Sequence, residues 1–167
     1  SAAVQKFDSV YEKYIKGTDA AVYHAVIPDK NFYLAEENGY PSYDYKEVFA
    51  YYREQLPYMT HIELTGTLSL EDFYRTDTHW RQECITDVAG VLADAMGVVL
   101  TADYEEVTLP TRFYGVYYGQ LALPGEPDTI TYLQNPLFDA CTIINHETGK
   151  EIPMYDMEKA AGKDPYE

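Results

Sequence analysis

Phe73 to Glu83 reads FYRTDTHWRQE, and it sets an acid, Asp77, one residue away from an imidazole, His79. Behind it, Ile85, Val88, Ala89, Leu92 and Met96 recur at i, i+3, i+4, i+7 and i+11, so one face of a helix is apolar. Gly97 supplies the stop. The spacing predicts a helix that begins close to His79 and runs to Met96. Ahead of it, MTHIELTGTL (59–68) reads as a strand running into a loop. The stretch is therefore a strand-to-helix connection. In α/β sheets, ligands bind in such connections, beyond the carboxyl ends of the strands. Two readings stand side by side. Asp77 or Thr78 can cap the helix. Alternatively, Asp77 can curl back onto His79 Nδ1, fixing the orientation and tautomer that a general base needs.

Further out, the same alternation of elements continues. Val4, Phe7, Val10, Tyr11, Tyr14 and Ile15 have helical spacing, and Gly17 ends the run. AAVYHAVIP (20–28) reads as a buried strand, and DKNFYLAEENGYPSY (29–43) as a loop. A helix is expected over Asp44–Leu56, with Val48, Phe49, Tyr52 and Leu56 on one face and Pro57 after it. Helix, strand, helix, strand, helix is an α/β order. It predicts a parallel sheet with flanking crossover helices, in which Val22–Ile27 and Ile62–Leu64 are parallel strands. Past Gly97 the character changes to aromatic, turn-rich sequence. CTIINHETGKEIPMY (141–155) reads as a β-hairpin with Gly149 in the turn. Residues 1–167 are thus expected to form a single domain, with an α/β portion over 1–97 and an irregular, β-rich insertion over 98–167.

Composition narrows the function. The chain has 167 residues, 46% hydrophobic and 24% charged, which suits a globular domain or part of one. A net charge of −16 repels phosphate backbones and anionic membrane surfaces, which argues against nucleic-acid and membrane partners. Tyrosine is the outlier, with 18 copies against one tryptophan, and its apolar body with a polar tip suits packing or a sugar surface. Cys84 and Cys141 allow one disulfide at most and have no metal-ligand spacing. No stretch is long enough to span a membrane, and no signal peptide is visible. The chain opens directly on a helix pattern, so an export segment is expected upstream or already removed. GKDPYE (162–167) closes it without a terminal element.

The wider stretch FYRTDTHW (73–80) resembles the aromatic-aromatic-x-Thr-Asp-x-His-Trp signature of the SGNH-hydrolase-like families typified by the alginate O-acetylation proteins and the bacterial DHHW-motif proteins. VIPDKNFYL (26–34) resembles their Pro-x-Lys segment after the first strand, and FYGVYYGQLALPGEPDTITY (113–132) is similar to their downstream Phe-x-Gly stretch. Where those families continue with Thr-Pro-x-Gly-Ala, this chain has RQECI (81–85). The resemblance implies part of an SGNH-like parallel sheet. It also implies an extracytoplasmic protein whose Ser-His-Asp triad acts on ester or acetyl groups of a cell-surface polysaccharide. Asp77 would orient His79, and His79 would act as base. The nucleophilic serine would follow the Asp-His block in an Asp-Ser turn. Here Ser1, Ser9, Ser42 and Ser69 all precede His79. The chain is therefore expected to be the N-terminal part of a longer SGNH-like domain, inactive alone. The alternative is a non-catalytic, Tyr-rich module that binds glycan or protein.

Neighbouring side chains have two readings each. Trp80 can stack on a sugar ring or pack on the core. Arg75 and Arg81 can hold an anionic group or pair with the abundant acids. Lys30 can face the same cleft or lie on the surface. Trp80, Arg75 and Lys30 are the candidate substrate contacts. A metal held by Asp77 and His79 with Asp72 or Glu71 lacks a known ligand spacing, so no metal and no cofactor are expected. His24 is read as a satisfied core histidine, His61 as structural or exposed, and His146 as solvent-facing.

Overall fold

The structure, a computed structural model, describes residues 1–122 and 125–160. GKDPYE (162–167) lies outside the described residues. The chain opens with α1 (Ala2–Val10), which widens into a π-helical turn over Tyr11–Ile15 before Gly17 at φ 85°. Strand β1 (Tyr23–Ala25) follows, then α2 (Lys30–Asn38), α3 (Tyr45–Gln55) and β2 (Thr60–Ile62). β1 and β2 pair in parallel, with Tyr23, His24 and Ala25 opposite Thr60, His61 and Ile62. The parallel α/β arrangement expected from the order of elements is present, with α2 and α3 in the crossover. β1 covers only the middle of the expected Val22–Ile27, and β2 lies two residues earlier than the expected Ile62–Leu64, sharing only Ile62 with it.

Residues 29–43 are not a loop throughout: Lys30–Asn38 are helical, and 40–43 lack regular structure. Asp29 accepts a hydrogen bond from the Phe32 N–H at 3.2 Å and caps α2, while Gly39 at φ 64° closes it. Phe32 then packs against Tyr45 and Phe49 of α3, at ring separations of 5.2 and 5.9 Å. A second correction concerns His79. Helix α4 spans Thr86–Met96 and starts beyond His79, so neither Asp77 nor Thr78 caps it. The backbone before α4 is committed elsewhere. The Tyr74 N–H donates to the His79 carbonyl at 3.0 Å and the Arg81 N–H to the Asp72 carbonyl at 2.7 Å. Phe73 and Trp80 thus pair as an antiparallel bridge, and a 3-10 turn at Gln82–Cys84 leads into α4.

Ile62, Leu64, Leu68 and Val88 form a buried cluster that joins β2 to α4, with Tyr23, Tyr33, Trp80, Val91 and Leu92 packed on it. His24 is not the satisfied core residue expected. Its ring lies 4.8 Å from that of His61, and its Nε2 is buried without a hydrogen-bond partner. Burial, then the neighbouring His61 and Arg53, lower its pKa.

The second half is antiparallel. β3 (Glu105–Phe113) pairs with β4 (Asp128–Gln134), and the ladder shifts between Thr108 and Arg112, around Pro110, which has no N–H to donate. α5 (Val116–Leu121) lies between them in sequence, and α6 (Pro136–Asp139) follows β4. β5 (Ile143–Asn145) and β6 (Lys150–Ile152) form the expected hairpin, with Gly149 at φ 66°. α7 (Met157–Ala160) ends the described chain. His146 is exposed; Cys84 and Cys141 are free thiols.

Candidate active site

The Phe73–Trp80 bridge pinches residues 74–79 into a closed turn, with Asp77 and Thr78 near its tip. Tyr74, Thr76 and Asp77 point inward: they are 2%, 8% and 2% exposed. A carboxylate so buried needs donors, because an unpaired charge away from water is costly. Asp77 has three. Its Oδ1 accepts from the His79 N–H at 3.0 Å and lies 2.5 Å from His79 Nδ1. Its Oδ2 accepts from the Val116 N–H, the first residue of α5, at 3.0 Å. Burial, the largest single influence, pushes the Asp77 pKa up. The bonds from Val116, from the His79 backbone and from the His79 ring together outweigh it, so the carboxyl is held below the ordinary range.

An ionised carboxylate only accepts hydrogen bonds, so His79 Nδ1 carries the proton. The basic lone pair of the ring is then on Nε2. The His79 side chain is 57% exposed while that of Asp77 is 3% exposed. An outward imidazole anchored on an inward acid is the arrangement of a general base with its orienting group. Thr78 Oγ1, 3.5 Å from the same Nδ1, is too distant to compete.

The turn is held from the second half of the chain. Asp128, at the start of β4, accepts from the Arg75 N–H at 2.9 Å, the Thr76 N–H at 2.7 Å and the Thr76 hydroxyl at 2.6 Å. With its proton given to Asp128, Thr76 Oγ1 accepts from the Gly115 N–H at 2.9 Å. The Tyr117 N–H donates to the Thr76 carbonyl at 3.0 Å. This contact explains the glycine of the Phe113-Tyr114-Gly115 triplet. A Cβ at Gly115 would stand 2.4 Å from both Asp77 Cβ and the Thr76 carbonyl oxygen. Gly115 marks a close approach of two backbones; its φ of −73° is ordinary.

Lys30 reaches the same turn from α2. Its ammonium donates to the Tyr74 carbonyl, lies 3.4 Å from the Arg75 carbonyl and sits over the Tyr117 ring at 4.9 Å. Burial lowers its pKa, and the charges of Asp128 and Asp77 partly offset this. The Arg75 guanidinium, on the surface, donates to the Glu126 carbonyl. Trp80 is half-buried against the β2–α4 cluster. Thr76, Gly115, Val116 and Asp128 were not singled out from the sequence. Thr76 and Gly115 had a signal there, as the Thr of the FYRTDTHW signature and the Gly of the Phe-x-Gly stretch.

The serines do not complete the pair. Ser1 caps α1, Ser42 Oγ donates to the Tyr43 carbonyl, and Ser69 Oγ donates to Asp72 at 2.9 Å. Among the described residues, no group of three or more His, Cys, Asp or Glu side chains could hold a metal ion. No described helix is long and apolar enough to cross a membrane.

No family model matches the chain, and no curated protein matches it. Solved structures do. A DHHW family protein from Eubacterium siraeum is 19% identical, with a TM-score of 0.65 over 79% of this chain and 46% of its own. Bacillus cereus PatB1 with a sulfonyl adduct is 16% identical, with a TM-score of 0.65 over 99% of this chain and 60% of its own. The O-acetyltransferase domain of Pseudomonas putida AlgJ is 14% identical, with a TM-score of 0.54 over 81% of this chain and 58% of its own. The chain spans roughly half to three-fifths of the length of these proteins. At such identities the likeness is one of fold. It falls on a DHHW protein and an O-acetyltransferase domain, the two kinds of protein that the FYRTDTHW stretch resembles.

Proposed function

We infer that this chain carries the acid–base half of an SGNH-like acyl esterase or O-acetyltransferase acting on an acylated cell-surface polysaccharide outside the cytoplasm. One observation carries this reading: a buried, ionised Asp77 bonded at 2.5 Å to the Nδ1 of an outward-facing His79. That geometry supports proton transfer, and the competing role of a helix cap is not taken, since α4 begins at Thr86.

The chemistry follows from the tautomer. His79 Nε2 takes the proton of a serine hydroxyl as the serine oxygen attacks the acyl carbon. The imidazolium so formed is stabilised by Asp77 Oδ1. The proton then passes to the departing alkoxide oxygen of the sugar, which leaves an acyl-enzyme for water or a second sugar hydroxyl. The serine comes from a segment beyond the Asp-His block. Arg75 and Trp80 flank the pair and are the proposed glycan contacts. Lys30, spent on the Tyr74 and Arg75 carbonyls, supports the turn on which those contacts stand.

The test is acetyl-ester hydrolysis by the protein carrying the serine-bearing segment, with p-nitrophenyl acetate and an acetylated glycan as substrates. His79→Ala should abolish turnover while thermal unfolding stays within a few degrees of the parent. Turnover indifferent to His79 would rule out the pair as its acid–base group, and no turnover in the folded, serine-bearing protein would leave a glycan- or protein-binding module as the better account.

A further inference from the structure

A second concave site lies away from the Asp77–His79 pair. A cavity of about 650 Å³ opens between the start of β3, the end of β4, α6 and the β6–α7 connection. Its volume is within the usual range for small-ligand sites, and its wall is aromatic. Tyr104 and Phe138 lie 6.0 Å apart, Phe138 and Tyr155 6.3 Å, and Tyr155 and Tyr132 5.0 Å, between ring centres. Two of these rings are fixed through their hydroxyls. Tyr155 donates to the Leu133 carbonyl at 2.8 Å, and Tyr132 accepts from Gln134 Nε2 at 3.2 Å. These bonds favour the ring orientations that form the wall, which lowers the ordering cost of binding.

The charge on the rim has one sign. Asp103, Glu105 and Asp139 line the cavity, and among the described residues no lysine or arginine does. Among the described residues, none of these three carboxylates makes a salt bridge. Aromatic faces combined with unpaired carboxylates favour a cation, through ring quadrupoles and direct charge. A chain of net charge −16 adds to that field. An ammonium group alone would leave most of the cavity empty. A saccharide suits it better, because each pyranose unit can lay its apolar face on an aromatic ring and its hydroxyls against the carboxylates.

We propose that this cavity binds a saccharide bearing a free amine, as one unit of an amino-sugar oligomer. The site stands independently of the acyl-transfer reading, since its residues take no part in the Asp77–His79 pair. It is nevertheless joined to that pair by β4, whose first residue, Asp128, holds the Thr76 backbone and whose last, Gln134, lines the cavity. Seven extended residues span roughly 20 Å, further than one sugar reaches and within the reach of a short oligomer.

Isothermal titration of the full chain with a β-1,4-linked glucosamine tetrasaccharide, against the fully N-acetylated tetrasaccharide, tests this. The amine-bearing oligomer should bind saturably, at least about tenfold more tightly, and more weakly as salt rises. Phe138→Ala and Asp139→Asn should each weaken it roughly 3- to 30-fold. Asp139 is exposed, so its substitution should leave the unfolding temperature unchanged and isolates the charge from the fold. No saturable binding, equal binding of the two oligomers, equal binding of a lysine-rich peptide, or indifference to Asp139→Asn would each overturn the proposal.

Discussion

At the scale of the residue, the Asp77–His79 hydrogen bond was legible because an acid two residues before a histidine needs only a tight turn to reach its ring. What the turn rests on was not. Asp77 is charged in a place with almost no water, and the donors that permit it come from Val116 and from the His79 backbone. Two outcomes follow. 15N spectra of the neutral His79 ring should show the Nδ1–H tautomer, and Asp77→Asn should shift that ring toward a mixture. The second is linkage. Asp77 is held below its unfolded pKa, so its contribution to stability is present above the ordinary carboxylate range and is lost as pH falls through the depressed value. Urea unfolding from about pH 7 to about pH 3 should therefore fall less steeply for Asp77→Asn than for the parent. Gly115→Ala tests the packing beneath. Its Cβ would meet Asp77 and Thr76 at 2.4 Å, so a loss of about 1–3 kcal/mol is expected in the same experiment.

At the scale of the element, local signals succeeded where local forces decide. Periodicity located α3 and the body of α4, and the Asn-His-Glu-Thr-Gly run located the β5–β6 turn. α2 was missed although Asp29 and Gly39 are ordinary helix punctuation, because the buried-strand reading had absorbed Pro28 and left the segment as its exit loop. The start of α4 could not be read locally. It is displaced by the Phe73–Trp80 bridge, a pairing set by tertiary contact. Asp128 is the clearest long-range contributor, since no spacing rule links it to Thr76. Asp128→Ala removes three hydrogen bonds to a charged acceptor. It should cost about 1.5–3 kcal/mol. Amide exchange should quicken at Arg75, Thr76, Gly115 and Val116 while β1 and β2 stay protected. Uniform acceleration across the chain would mean that Asp128 supports the whole fold instead of this turn.

At the scale of the molecule, the α/β order and the parallel pair were readable from the alternation of apolar runs. The antiparallel half was readable only as β-rich, since its ladder shifts around Pro110 and its helices are short. That half contributes more to the site than its irregular sequence suggests: Asp128, Gly115 and Val116 all come from it. The fold matches proteins of which this chain spans roughly half to three-fifths, and the proposed activity belongs to a larger assembly of residues than the Asp-His turn alone. The most direct test compares acetyl-ester turnover in the protein that carries the serine-bearing segment, parent against Asp77→Asn and His79→Ala. The expected result is loss of turnover for His79→Ala and a fall of roughly 10⁴ for Asp77→Asn, with both variants folded and this 167-residue chain inactive by itself. Folded variants that turn over acetyl esters at the parent rate would contradict the assignment of Asp77 and His79 as the acid–base pair.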